Sequence, residues 1–218
     1  MDTDTNPATQ GPYEVVDIAV QTRSDEELLA DHLAGRPGAF DALAARYSNE
    51  IYAFVFRFVN QAAVAEDLVQ ETFLQVHLAA ASFDPSRSLK PWLYTIAANK
   101  ARDFLRSRKR RSVQSLDATG LDEDGPSLAQ SLEAADVTAF EQFERQEQQE
   151  IVRKLIERMP EHLRLILTLG YYQKLPYSEI SEILGIPVGT VKSRLHAAVT
   201  NFGKLWHKHM RASQPADS

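Results

Sequence analysis

The sequence predicts an all-α protein of two helical modules, and three observations carry that prediction. Apolar residues recur at the i, i+3, i+4, i+7 spacing of a buried helix stripe through most of the chain. No segment shows the period-two alternation of a half-buried strand. From residue 112 to 139 the stripe lapses into a stretch rich in Ser, Asp and Ala, broken by Gly120 and Gly125-Pro126, which is the composition of a linker.

Residues 1–23 are polar and read as a disordered extension. Ser24 followed by Asp25, Glu26 and Glu27 supplies an N-cap, an acidic first turn and a Glu at the capping-box position, so a helix opens there and ends near Gly35. The next helix starts near Pro37, with Phe40, Leu43, Tyr47, Ile51, Phe54, Val55 and Phe58 as its core stripe; a break before Phe58 is left open. A third helix covers roughly Ala62 to Ala80. A fourth runs from Pro91 to about Arg110 and carries Trp92, Leu93, Ile96, Ala97 and Leu105. These four make one module over residues 24–111.

After the linker, periodicity resumes near Phe140 and runs to Met159. Pro160 opens a helix through Tyr172, and residues 140–210 close as a second module with its own core; residues 211–218 read as a disordered tail. Within it, Leu175 to Ala198 has the spacing of two short helices joined by a tight turn. Ile180, Ile183 and Leu184 form the inward stripe of the first, Gly185 supplies the permissive turn backbone, and Pro187 falls in the first turn of the second. Val188, Val191 and Leu195 point inward from that second helix. Gly189, Lys192, Ser193 and His196 then occupy the opposite face, where short and hydrogen-bonding side chains reach base edges in a major groove.

The net charge of −6 conceals an uneven layout. Lys100, Arg102, Arg106, Arg108, Lys109, Arg110 and Arg111 face only Asp103 in their stretch. Carboxylates then dominate to Glu150, and the chain turns basic again to Arg211. Two basic modules flank an acidic connector, a distribution suited to phosphate binding at two places. With 0 cysteines there is no disulfide, thiolate nucleophile or cysteine-zinc site, and the 6 histidines form no ligand cluster, so no cofactor or metal is expected. No apolar run approaches bilayer length, and the polar, acidic start is unlike a signal peptide, which implies a cytoplasmic chain without membrane insertion.

Three segments in order, AEDLVQETFLQVH (65–77), KPWLYTIAANKARDFLRSRKRR (90–111) and PVGTVKSRLH (187–196), resemble the extracytoplasmic-function class of bacterial RNA polymerase sigma factors, which keep sigma regions 2 and 4. The resemblance covers roughly residues 25–111 and 141–208. It implies a non-enzymatic factor that binds core RNA polymerase, recognises promoter DNA and helps hold the opened duplex; an anti-sigma factor is a further partner common to the class. On this reading Asp67, Gln70, Glu71 and Leu74 form the core-polymerase face. The loop from Phe83 to Leu89 and Asn99 hold a flipped base of the minus-ten element, while Arg102, Arg106, Arg108, Lys109, Arg110 and Arg111 track the single-strand phosphates. Lys192, Ser193 and His196 read the minus-thirty-five element, with Thr190 and Arg194 on phosphate.

The acidic linker reads either as a nucleic-acid mimic threading the polymerase cleft or as a spacer whose self-repulsion separates the modules. Two departures stand out: Ala197, Ala198 and Val199 occupy positions where many relatives carry arginines, and Pro176 stands where a Ser or Thr cap is common. Both imply weaker upstream affinity or altered specificity. A helix-turn-helix regulator acting beside another sigma factor is the alternative; it leaves the basic, aromatic fourth helix unexplained. A nucleic-acid-processing enzyme needs clustered carboxylates for metal ions or a P-loop, and the sequence has neither.

Overall fold

Helix α1 (Asp25–Leu33) begins at the cap that the sequence encodes. The Ser24 hydroxyl accepts the Glu27 N–H at 3.1 Å, and the Glu27 carboxylate accepts the Ser24 N–H at 2.8 Å. In this computed structural model the backbone of residues 22–115 and 139–212 is described, with side chains over 22–111 and 148–212. Every regular element among the described residues is helical. The N-terminal extension, most of the acidic linker and the last residues of the tail lie outside them.

Helix α2 (Ala39–Val59) is unbroken, because Leu43, Tyr47, Ile51, Phe54, Val55 and Phe58 form one buried stripe along its whole length. It stops at Asn60, whose left-handed backbone (φ 58°) lets its N–H reach the Phe56 carbonyl at 2.7 Å. Helix α3 (Ala62–Ala79) follows directly and ends in a 3-10 turn, Ala80–Ser82. Helix α4 (Leu89–Ser115) starts before Pro91 and extends past Arg111, so the first residues assigned to the linker are helical. Pro91 is harmless in that first turn, where a backbone N–H has no helical partner.

The second module contains α5 (Ala139–Glu157), α6 (Glu161–Leu167), a π-helical turn (Thr168–Tyr172), α7 (Tyr177–Leu184) and α8 (Val188–Ala212). The helix expected from Pro160 to Tyr172 is one continuous helical run with Pro160 as the N-cap residue, its last turn widened from α to π. Leu165, Ile166, Leu167, Thr168 and Leu169 are all buried, a run too long for one face of a regular α-helix. Gly170 lies against α8, where an added Cβ would sit 3.2 Å from Leu195 Cδ1. Helix α8 runs to Ala212, two residues into the expected tail.

One expectation fails at the level of packing. The two modules do not keep separate cores: their buried apolar residues form one continuous cluster that includes Leu28, Phe58, Leu93, Ile166, Ile180 and Ala198. α4 packs on α7, and α2 packs on the π-helical turn.

Candidate nucleic-acid interface

The first candidate surface is the start of α4 with the loop before it. Glu26 of α1 caps this helix, its carboxylate accepting the Leu89 N–H at 2.9 Å, a long-range cap that local pattern does not reveal. In the loop, Asp84 accepts the Ser86 N–H at 3.0 Å and the Ser86 hydroxyl at 2.7 Å, which fixes a tight turn. The Ser86 hydroxyl, then its backbone N–H, hold the Asp84 carboxyl below its ordinary pKa. Half-buried Phe83 packs on Trp92 with centroids 5.0 Å apart. Leu93 and Tyr94 are core residues, and burial, followed by the nearby Glu50 carboxylate, pushes the Tyr94 phenol well above its usual pKa.

Farther along α4, Asn99 is exposed and its amide oxygen accepts from Arg102 Nη2 at 2.8 Å, which leaves the two amide hydrogens as its remaining hydrogen-bonding capacity. Arg102 is half-buried, and its Nε also donates to the Ala98 carbonyl at 3.2 Å. It positions Asn99 as much as it offers charge. Arg106 lies 3.9 Å from Asp103, and Arg108, Lys109, Arg110 and Arg111 are exposed at the far end.

Helix α3 presents the candidate polymerase face. Leu68, Phe73 and Val76 are buried, whereas Asp67, Gln70, Glu71 and Leu74 are exposed together on the outer side. Glu71 pairs with Lys100 of α4 at 3.1 Å. Leu78 continues this face and is 68% exposed, against 57% for Leu74. Sequence reasoning missed it, although its position four residues after Leu74 was a usable signal. At the same end of α3, His77 Nδ1 lies 3.0 Å from His32 Nε2, with Phe40 against both rings. Burial and the His77 charge lower the His32 pKa, while Asp41 opposes them.

The helix-turn-helix forms as its spacing requires. Ile180 and Ile183 are buried, and Gly185 turns the chain with φ 62°. The Ser181 hydroxyl donates to the Ile186 carbonyl at 2.5 Å and locks the turn. Pro187 is the N-cap rather than a first-turn residue; its carbonyl accepts the Thr190 and Val191 N–H groups at 2.8 and 3.0 Å. Pro176 likewise caps α7 without a side-chain bond. The inward stripe begins at Val191, because Val188 is 40% exposed at the helix start.

Gly189, Lys192, Ser193 and His196 share the exposed face, flanked by half-buried Thr190 and Arg194. Ala198 is fully buried, so a cation there would have no route to phosphate; only Ala197 and Val199 stand at exposed positions. Beyond them Lys204, His207, Lys208 and Arg211 line one shallow depression, a basic group that the motif reading did not single out.

Among the described residues no group of His, Cys, Asp or Glu side chains is arranged to hold a metal ion, and no helix is long and apolar enough to cross a membrane. Two family models match the chain: sigma-70 region 2 over residues 43–111, which holds α3 and α4 as far as Arg111, and sigma-70 region 4 over residues 149–201, which holds the helix-turn-helix. The chain is 33% identical to the RNA polymerase sigma-H factor of Pseudomonas aeruginosa, over 80% of this chain and 89% of that protein. It is 34% identical to the ECF RNA polymerase sigma-E factor of Escherichia coli strain K12, over 80% and 90% of the two chains. In fold it is similar to the sigma factor RpoE of Bartonella quintana, solved with the anti-sigma factor NepR, with a TM-score of 0.59, 24% identity and coverage of 78% of this chain and 98% of that one. Sigma regions 2 and 4 are both present, in that order, and the chain belongs to the extracytoplasmic-function class of the sigma-70 family of RNA polymerase sigma factors.

Proposed function

We propose that this sigma factor divides promoter reading between residues 24–111 and residues 140–210, and that the residues named above carry the parts. Asn99 and the Phe83–Leu89 loop take a flipped non-template base of the minus-ten element. Arg102, Arg106, Arg108, Lys109, Arg110 and Arg111 follow the single strand. Lys192, Ser193 and His196 read the minus-thirty-five duplex, with Thr190 and Arg194 on its backbone. Asp67, Gln70, Glu71 and Leu74 dock on core RNA polymerase, which supplies all of the chemistry; the chain itself is not an enzyme and works in the cytoplasm.

The observation that carries this reading is the coexistence in one chain of an exposed amide beside a basic helix end on α4 and an exposed Lys192, Ser193 and His196 face on α8. One suits single-stranded DNA, the other a major groove. Transcription with purified core RNA polymerase on a randomised promoter library, with and without this protein, tests it. Protein-dependent starts sharing two spaced motifs are the expected result. Duplex binding without protein-dependent starts would instead mark a regulator acting beside another sigma factor.

A further inference from the structure

Helix α8 outruns the surface assigned to the minus-thirty-five element. From Gly189 to His196 it rises about 11 Å, close to the roughly 12 Å width of a major groove. The whole helix, Val188–Ala212, has 25 residues and is about 37 Å long. An unbroken helix that seats its N-terminal end in the groove carries its far half past the groove edge, toward the sugar-phosphate ridge and the flanking duplex.

That far half is cationic. Lys204, His207, Lys208 and Arg211 are exposed and line one depression. By helical period Lys204, His207 and Arg211 fall on the side of α8 away from buried Val191 and Ala198, with Lys208 at its edge. Lys192, Ser193 and His196 occupy the same side, and Arg211 follows Ser193 by about five turns of 3.6 residues, in the same radial position. Val199 and Thr200, exposed between the two groups, bring no charge. None of the four pairs with a carboxylate among the described residues, whereas cations elsewhere are matched: Arg46 with Asp25, Lys100 with Glu71 and Arg153 with Glu150. Like charges gathered without an internal counterion repel one another, and an external anion relieves that repulsion. The region 4 family model ends at residue 201, so this group lies beyond the matched part of the chain.

We infer that Lys204, His207, Lys208 and Arg211 form a second DNA contact, on phosphates of the duplex that flanks the minus-thirty-five element. The contact rests on the reading above, in which Lys192, Ser193 and His196 enter the groove of that element. It shares one side of one helix with those residues, so the duplex they engage runs on toward it. Phosphates carry no base identity, so the contact adds affinity and fixes the angle of α8 while base preference stays with the reading face. It also supplies, farther along the helix, the positive charge that Ala197 and Val199 do not supply just after that face.

The test replaces Lys204, Lys208 and Arg211 together by Gln at exposed positions, with circular dichroism to check folding. The full chain, assembled with core RNA polymerase, is titrated with two duplexes: the upstream element recovered from the promoter library with long flanks on both sides, and the same element trimmed to its edges. On the flanked duplex the triple variant should bind about tenfold more weakly near 0.1 M salt, and its slope of log affinity against log salt should be smaller by about 3, from roughly 0.9 per neutralised phosphate. Its base preference should be unchanged, and on the trimmed duplex it should match the parent. Lys204→Arg with Lys208→Arg should keep the parent's affinity and slope. Equal binding of parent and triple variant to the flanked duplex, or an equal loss on both duplexes, overturns the flanking contact. Weakened binding to core polymerase without DNA, with duplex affinity intact, overturns it in favour of an acidic protein surface. A flank-dependent loss in the triple variant, with no base preference in the parent, overturns the minus-thirty-five reading instead and leaves the phosphate contact standing.

Discussion

Asn99 and Lys192 illustrate how much one side chain's setting decides. Asn99 stands exposed with its amide oxygen engaged by Arg102, so its unspent capacity is the pair of N–H donors. Asn99→Ala should weaken open-complex formation by about 1–3 kcal/mol on the preferred minus-ten element and less on a variant element, read as sequence preference in a promoter-binding assay. Lys192 is exposed on the face it shares with Gly189, Ser193 and His196. Lys192→Ala should lower affinity for the preferred minus-thirty-five duplex by about 1–3 kcal/mol and relax its base preference, and an unchanged preference in a duplex-binding series would remove Lys192 from the base-reading set. His32 yields a pH prediction. Burial and His77 favour its neutral form in the fold, so its stabilising contribution is complete above the ordinary value of 6.5 and declines as pH falls below it. Thermal unfolding should show a loss of stability on acidification below 6.5 that is reduced in His32→Gln.

At the level of elements, caps and stripes explain where helices begin and which face they bury. The Ser24 capping box, the stripe of α2 and the Gly185 turn were all legible in the sequence, because each depends on residues within about one helical turn. Two features were not. The π-helical turn widens the end of a helix that local pattern carries unchanged through Tyr172, and the close packing of Gly170 on Leu195 there is a tertiary contact. Buried Ala198 was taken for a missing phosphate contact, because spacing alone does not separate the core side of α8 from its flank. On α3, Leu74 and Leu78 expose apolar surface on an otherwise acidic face without supporting the core. Leu74→Ser combined with Leu78→Ser should leave the melting temperature nearly unchanged while weakening core-polymerase binding by roughly 2–4 kcal/mol, measured by titration against core enzyme.

Over the whole molecule, net charge is a poor guide and charge layout a good one. The chain carries a net −6, yet Arg108, Lys109, Arg110 and Arg111 stand exposed at one helix end. Replacing these four by Gln should lower the slope of log affinity against log salt for single-stranded minus-ten DNA by about 3, from roughly 0.7 per neutralised phosphate. The all-helical class, the order of the elements, the helix-turn-helix and the family are legible in the chain alone, because helix period, caps and turn glycines are written in neighbouring residues. That the two modules share one core and that Arg87 meets Glu182, 95 positions away, follows from three-dimensional packing. Such pairings are set by the shape and burial of assembled surfaces, and no local period in the chain records them.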